Sequence, residues 1–279
     1  MCCVISLQTK PCSFAEDSYE QHSTKEKQVN THSKISALRK AMAATGYDAY
    51  VIPSTDPHQS EYPAERWQAR AWVSGFTGSA GTVVVTRNNA GLWTDFRYFI
   101  EAESVLQDTP VALFRVGDPQ VPGIEEWLSE ELEDGARVSF DSSVVSVSYA
   151  SQLRSGIRAG IEVTPGVDLL DEIWPDRPSL PDEPVTEHPP QFAGVSRSAK
   201  LEQLRAHVRS GEWMLLTALD EIAWLLNLRG SDVAYNPVFL AFALVGTGHC
   251  RLYVEHSKLS DALQDELLGA GITVKSYGM

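Results

Sequence analysis

The residue types and spacing best suited to chemistry lie between Trp72 and Tyr98, WVSGFTGSAGTVVVTRNNAGLWTDFRY. Gly75, Gly78 and Gly81 recur at a spacing of three and supply points of left-handed backbone or close chain approach. A phosphate cradle would need a Lys and a Ser or Thr after the last glycine, or a GxGxxG spacing, and the stretch has neither. A serine-hydrolase elbow needs G-x-S-x-G, whereas Ser79 sits in Gly78-Ser79-Ala80-Gly81. Glycines that let a turn pack beneath a sheet remain the reading for this loop. Arg97 is different. It falls in the first turn of a helix capped by Asp95, where the macrodipole disfavours a cation. A residue set against its local preference answers to something outside its own helix, with a surface ion pair as the alternative.

Other candidates are weaker. His58, His188, His207, His249 and His256 show no HExxH or paired spacing, so solvated or core histidines are expected. Asp220-Glu221 resembles a carboxylate pair, but neighbours on a helix point apart, which makes them a cap and a surface charge.

The positioning elements alternate helix and strand, which predicts an α/β fold with mixed sheets flanked by helices. Ile35, Leu38 and Met42 form one face of a helix ending at Gly46, and 47–52 reads as a strand ended by Pro53. A polar segment at 54–70 carries His58, Glu61 and Tyr62. Residues 82–86, β-branched throughout, predict a strand covered on both faces. A turn at Asn88, Asn89 and Gly91 leads to a strand at 92–94, then to a helix with apolar face Phe96, Phe99, Ile100 and Leu106. Further strands are expected at 111–116, 137–141 and 161–164, with helices at 124–132, 149–159 and 169–174. Residues 1–33 are polar and aperiodic and read as a disordered tail, 34–175 as a first domain. Residues 176–194, rich in Pro, Asp and Glu, read as a linker. A second domain occupies 195–279.

The chain has 279 residues, 43% hydrophobic and 22% charged, with a formal charge of -14. That acidity argues against nucleic acid or an anionic membrane as partner. No apolar run is long enough to cross a bilayer. Cys2, Cys3, Cys12 and Cys250 offer no disulfide framework, which predicts a reducing compartment. Glu16, Asp17, Glu20 and Glu26 count against a transit peptide, and Cys2-Cys3 is a weak acylation signal.

The two halves can be superimposed. Trp72-Val73-Ser74-Gly75-Phe76-Thr77-Gly78-Ser79 matches Trp224-Leu225-Leu226-Asn227-Leu228-Arg229-Gly230-Ser231 in aromatic, aliphatic, Gly and Ser positions. Each match follows a helix and a strand, and each precedes two strands ending in an acid, Asp95 or Glu255. Duplication of one unit is the economical account. The polar segment 54–70 belongs to the first copy only. The second copy lacks counterparts of everything from Ile124 to Trp174, so an open sheet edge and an uncovered apolar face are expected.

Several runs resemble the long, cytosolic-type Xaa-Pro aminopeptidases (aminopeptidase P). They are Ile52-Pro53-Ser54, His58-Gln59-Ser60-Glu61-Tyr62, Val73-Ser74-Gly75-Phe76, Gly78-Ser79-Ala80-Gly81 and Trp93-Thr94-Asp95-Phe96-Arg97-Tyr98-Phe99. The likeness continues through Ile173-Trp174, Asp176-Arg177-Pro178 and the run from Thr217 to Phe239. The resemblance implies two creatinase-N-terminal-like domains, the second incomplete here. In the family these precede a C-terminal pita-bread domain in which two Asp, one His and two Glu hold two metals, usually manganese. A metal-bound hydroxide there attacks the bond before proline. The ligands of that domain have no counterpart in this sequence, so no catalytic or metal residue carries over. The resemblance does imply that Arg97 reaches toward a bound peptide, that Glu61 is a candidate for the peptide's amino end, and that His58 is a third candidate. It also implies a homodimer, a cytoplasmic setting, and peptides with proline at position two as partners of the whole enzyme. Two other roles stay open: a short regulatory form pairing with full-length subunits, and a free-standing ligand-binding module.

Overall fold

The computed structural model describes residues 16–278. The first domain opens with α1 (Glu16–Thr45), β1 (Ala49–Ile52) and α2 (Ala69–Ser74). The hairpin β2 (Thr82–Thr86) and β3 (Ala90–Thr94) follows, then α3 (Phe99–Leu106) and β4 (Ala112–Arg115). It closes with α4 (Ile124–Glu131), β5 (Arg137–Asp141), α5 (Val147–Gly156), β6 (Glu162–Gly166) and α6 (Leu170–Ile173). The six strands form one mixed sheet in the order β4-β3-β2-β1-β5-β6. β1 is antiparallel to β2 and parallel to β5, while β4 and β6 lie parallel to β3 and β5 at the edges.

The period of two along β1 sends its residues into two cores. Tyr50 and Ile52 pack with Val83, Val85 and Leu92 against Ile35, Leu38 and Met42 of α1. Ala49 and Val51 pack with Val84, Val138 and Phe140 against Leu128 of α4 and Leu153 of α5. The β-branched run of β2 is covered on both faces for that reason.

The second domain follows β7 (Thr186–Glu187) and α7 (Pro190–Ala193). Its elements are α8 (Arg197–Arg205), β8 (Trp213–Leu216), α9 (Leu219–Leu226), β9 (Leu228–Arg229), β10 (Phe242–Gly246), β11 (Cys250–Tyr253), α10 (Asp261–Gly269) and β12 (Ile272–Lys275). Its main sheet runs β12-β11-β10-β8 with the same strand directions as β4-β3-β2-β1. The duplication extends to side chains. Lys34 of α1 donates to the Trp72 carbonyl at 2.9 Å and lies over the Trp72 ring, and Lys200 of α8 does the same at Trp224, at 2.8 Å. Both helices so capped end in left-handed backbone, at Gly75 (φ 77°) and Asn227 (φ 51°).

The expected open edge is present. Among the described residues β8 is paired on one side only, whereas β1 takes β5 on the corresponding side. Met214 and Leu216 lie opposite Val245 and Ala243 and so face the core. Trp213 and Leu215, on the face that α4 and α5 cover in the first domain, are 43% and 57% exposed.

Two expectations require revision. Residues 16–33 fall within helix α1 rather than a disordered tail, while residues 1–15 lie outside the described residues. No glycine or proline interrupts 16–45, so nothing in the sequence stops the helix upstream of the apolar face at Ile35. The 176–194 segment is fastened at both ends, because its backbone finds partners despite its composition. Arg177 pairs with Asp168 and Asp171 and donates to the Arg66 carbonyl, and Val185 is buried with its N–H on the Lys258 carbonyl at 2.8 Å. β7 pairs with β9. The Lys258 ammonium, itself buried, bonds Asp232 and the Pro181 carbonyl.

The polar segment 54–70 crosses into the second domain, and Ala64 and Trp67 join its core cluster. His58 is the polar member of this junction, 4% exposed. Its Nδ1–H donates to the Thr217 carbonyl at 3.0 Å and its Nε2 accepts from the Tyr277 hydroxyl at 2.8 Å. The ring stacks on Phe242 at 4.3 Å between centroids.

Burial lowers the His58 pKa below its usual 6.5. The unfolded chain therefore binds the extra proton first, so this contribution to stability is present above the unfolded pKa and is lost as pH falls below it. His58→Phe should cost about 1–3 kcal/mol at pH 7.5 by stranding the Thr217 and Tyr277 groups. Urea unfolding should show the gap from wild type narrowing at pH 5; a gap that widens contradicts the assignment. Leu215→Lys should lower self-association of the 279-residue chain, read as a shift toward the smallest sedimenting species, because a charge on an exposed apolar edge opposes strand pairing.

Candidate functional site

The glycine turn is held from within the fold. Arg70, 6% exposed on α2, donates from Nη1 to the Phe76 carbonyl at 2.9 Å and from Nη2 to the Gly78 carbonyl. Its Nε donates to the Ser54 hydroxyl, which in turn donates to the Gly81 carbonyl, both at 2.5 Å. A Cβ on Gly78 would meet the Phe76 ring at 2.4 Å and the Tyr98 ring at 2.6 Å. This glycine is required for close packing rather than for a ligand, as expected for the loop.

Arg97 lies on a single 3-10 turn, Phe96–Tyr98, whose first backbone donor is capped by Asp95 at 3.1 Å from Arg97 N. The Arg97 fork is bidentate on Asp95, Nε to Oδ1 at 2.9 Å and Nη2 to Oδ2 at 2.8 Å. Its side chain remains 51% exposed and lies over the Tyr98 ring at 5.1 Å. The hydrogen bonds to Asp95 raise the guanidinium's pKa and lower that of the carboxylate, with Glu61 adding a smaller upward push on Arg97. The surface ion pair is thus real, and it leaves part of the fork open to solvent.

Glu61 is exposed. With Tyr62 it forms the wall shared by two hollows. One, of about 390 Å³, opens between the domains beside Asp220 and Asn236. The other, of about 150 Å³, lies over Ser54, Arg70, Thr77 and Ser79. The structure therefore brings Glu61 within electrostatic reach of Arg97. It sets His58 apart, in the junction, with both ring nitrogens engaged.

One expectation about this region fails. Phe96 and Ile100, assigned to the inward face, are 78% and 87% exposed, whereas Ala102 and Leu106 are buried. The 3-10 turn before α3 shifts the helical phase that a continuous 3.6-residue period assumes. Asp220 and Glu221 are exposed surface charges in the first turn of α9, but neither is its cap, because the N-cap is Ala218 and no side chain caps the helix. Sequence reasoning missed Arg70, Ser79 and Tyr98 as a connected group. Only the fold shows that an arginine at the end of a polar segment turns inward.

Among the described residues no group of three His, Cys, Asp or Glu side chains could hold a metal ion. No described helix is long and apolar enough to cross a membrane.

Residues 34–173 and 176–279 match two descriptions of the same kind, Creatinase/Prolidase N-terminal domain. Aminopeptidase P2 of Arabidopsis thaliana is 41% identical over 252 residues, 88% of this chain and 35% of that protein. A probable Xaa-Pro aminopeptidase P of Neurospora crassa is 40% identical over 256 residues, 89% of this chain and 37% of that protein. The crystal structure of an X-prolyl aminopeptidase from Caenorhabditis elegans, a cytosolic enzyme with a di-nuclear active site, superimposes with a TM-score of 0.82 at 32% identity. It covers 89% of this chain and 42% of that one. The chain thus spans well under half the length of these relatives. It belongs to the creatinase/prolidase N-terminal domain family and matches the N-terminal part of Xaa-Pro aminopeptidases.

Proposed function

We propose that this chain serves as the N-terminal, non-catalytic portion of an Xaa-Pro aminopeptidase, shaping access to an active site carried elsewhere and supporting a homodimer. The observation that carries the reading is a half-exposed Arg97 guanidinium within electrostatic reach of the exposed Glu61 carboxylate. A peptide has groups to match both. Its carbonyls and carboxylate suit the rigid guanidinium fork, and its ammonium suits Glu61. His58, held in the junction, would act on this site by fixing the segment that carries Glu61 rather than by touching peptide. In this reading the substrates are peptides with proline at position two. The setting is cytoplasmic, and the two metals, manganese by family resemblance, belong to the catalytic domain. The relatives' names and the 0.82 superposition support the assignment.

The isolated 279-residue chain should release no amino acid from Xaa-Pro peptides, with or without manganese. Detection of such release by mass spectrometry overturns the proposal. In a protein that joins this chain to its catalytic domain, Arg97→Ala should lower kcat/KM by about 5- to 150-fold. That is the equivalent of the roughly 1–3 kcal/mol for losing a hydrogen bond to a charged group. Unchanged kcat/KM would remove Arg97 from the site.

A further inference from the structure

Arg70 is a buried cation for which no carboxylate provides an ion pair among the described residues. Burial lowers its pKa to about 10, with Glu101 and Tyr98 acting on it only at a distance. A guanidinium in that position is costly unless it is hydrogen-bonded in full geometry. Here all three nitrogens donate to Ser54, Phe76 and Gly78, and the group also lies over the Phe76 ring at 4.8 Å. A small hydrophobe could fill the space. It could not grip two carbonyls of one loop at once.

What that grip holds is visible on the other side of the loop. The Ser79 hydroxyl shares a hydrogen bond with the Tyr98 hydroxyl at 2.7 Å. The Phe76 ring meets the Tyr98 ring edge to face, centroids 5.8 Å apart. Gly78 lets the two rings close, and Tyr98 is the surface on which the Arg97 guanidinium lies. A continuous set of short contacts therefore runs from Arg70 through Phe76 and Ser79 to Tyr98 and Arg97.

We propose that Arg70 is a positioning residue for Arg97, orienting the exposed fork through the Phe76–Ser79 loop and the Tyr98 ring. The consequence for substrate rests on the reading of Arg97 as peptide-facing; the positioning itself does not. Lysine at position 70 keeps the charge but not the planar fork, so it cannot hold Ser54, Phe76 and Gly78 in the same fixed geometry.

Two measurements separate these claims. In the 279-residue chain, the 15N heteronuclear NOE of the Arg97 Nε–Hε group reports the order of the fork. It should fall below wild type in Arg70→Lys, and also in Ser79→Ala and Tyr98→Phe, each of which removes the Ser79–Tyr98 hydrogen bond without disturbing a buried charge, while the Asp95 pair keeps it above that of a free arginine. A fork as ordered in folded Ser79→Ala and Tyr98→Phe as in wild type overturns the proposal, whether or not Arg70→Lys folds. In the protein that includes the catalytic domain, Ser79→Ala should raise KM about 2- to 10-fold with little change in kcat, the range for one hydrogen bond. Adding it to Arg97→Ala should change nothing further, because the two act as one. Additive effects count against positioning. An Arg97→Ala protein with full activity would instead overturn the peptide-facing reading, leaving the NOE result to decide on Arg70.

Discussion

The arrangement depends on a polar segment being buried between two sheets without leaving its hydrogen-bonding groups stranded. Residues 54–70 leave β1 and enter the second domain, where an unpartnered donor or acceptor costs more than the contact returns. The solution is local and dense. Asp56 Oδ1 accepts the N–H of both His58 and Ser60, Gln59 reaches the Val144 carbonyl, and Thr55 reaches the same carbonyl. Gln59 adopts left-handed backbone (φ 59°) to close the turn. His58 and Arg70 then satisfy the two ends of the segment, one against the second domain and one against the glycine loop. Asp56 Oδ2 is the exception, buried without a hydrogen-bond partner.

Duplication explains the frame and divergence explains the site. Both copies keep a lysine over a tryptophan, a left-handed helix end and a glycine that admits no side chain, Gly78 or Gly230. These are demands of packing a helix end beneath a sheet, and they apply wherever the unit is built. The acid after the third strand is kept in type, as Asp95 and Glu255, but Arg97 and Tyr98 correspond to Ser257 and Lys258. Lys258 turns inward to Asp232 and tightens the connecting segment, whereas Arg97 turns outward. The same short turn thus carries a cation in each copy, one residue apart: Lys258 holds the second domain together and Arg97 faces solvent in the first.

Much of this was legible in the chain. The run Thr82–Thr86 reads as a doubly covered strand because every residue is β-branched, and the structure buries Val83, Val84 and Val85 completely. Arg97 could be singled out because it violates a local electrostatic preference. The open edge of β8 followed from comparing the copies. What sequence could not show were features set by tertiary geometry: the inward turn of Arg70, the fastening of residues 176–194 by Arg177, Val185 and Lys258, and the outward turn of Phe96 and Ile100 after a 3-10 turn. Composition and period describe single elements, and these outcomes belong to pairs of elements far apart in the chain.

The His58 ring and the Tyr277 hydroxyl are 219 positions apart. A contact of that separation closes a loop spanning both domains, so it forms late and carries a large closure entropy. During synthesis the first sheet can fold long before Tyr277 exists, while the segment carrying His58 waits with its partners unmade. The two copies are therefore tied at the junction by a bond that neither can make alone.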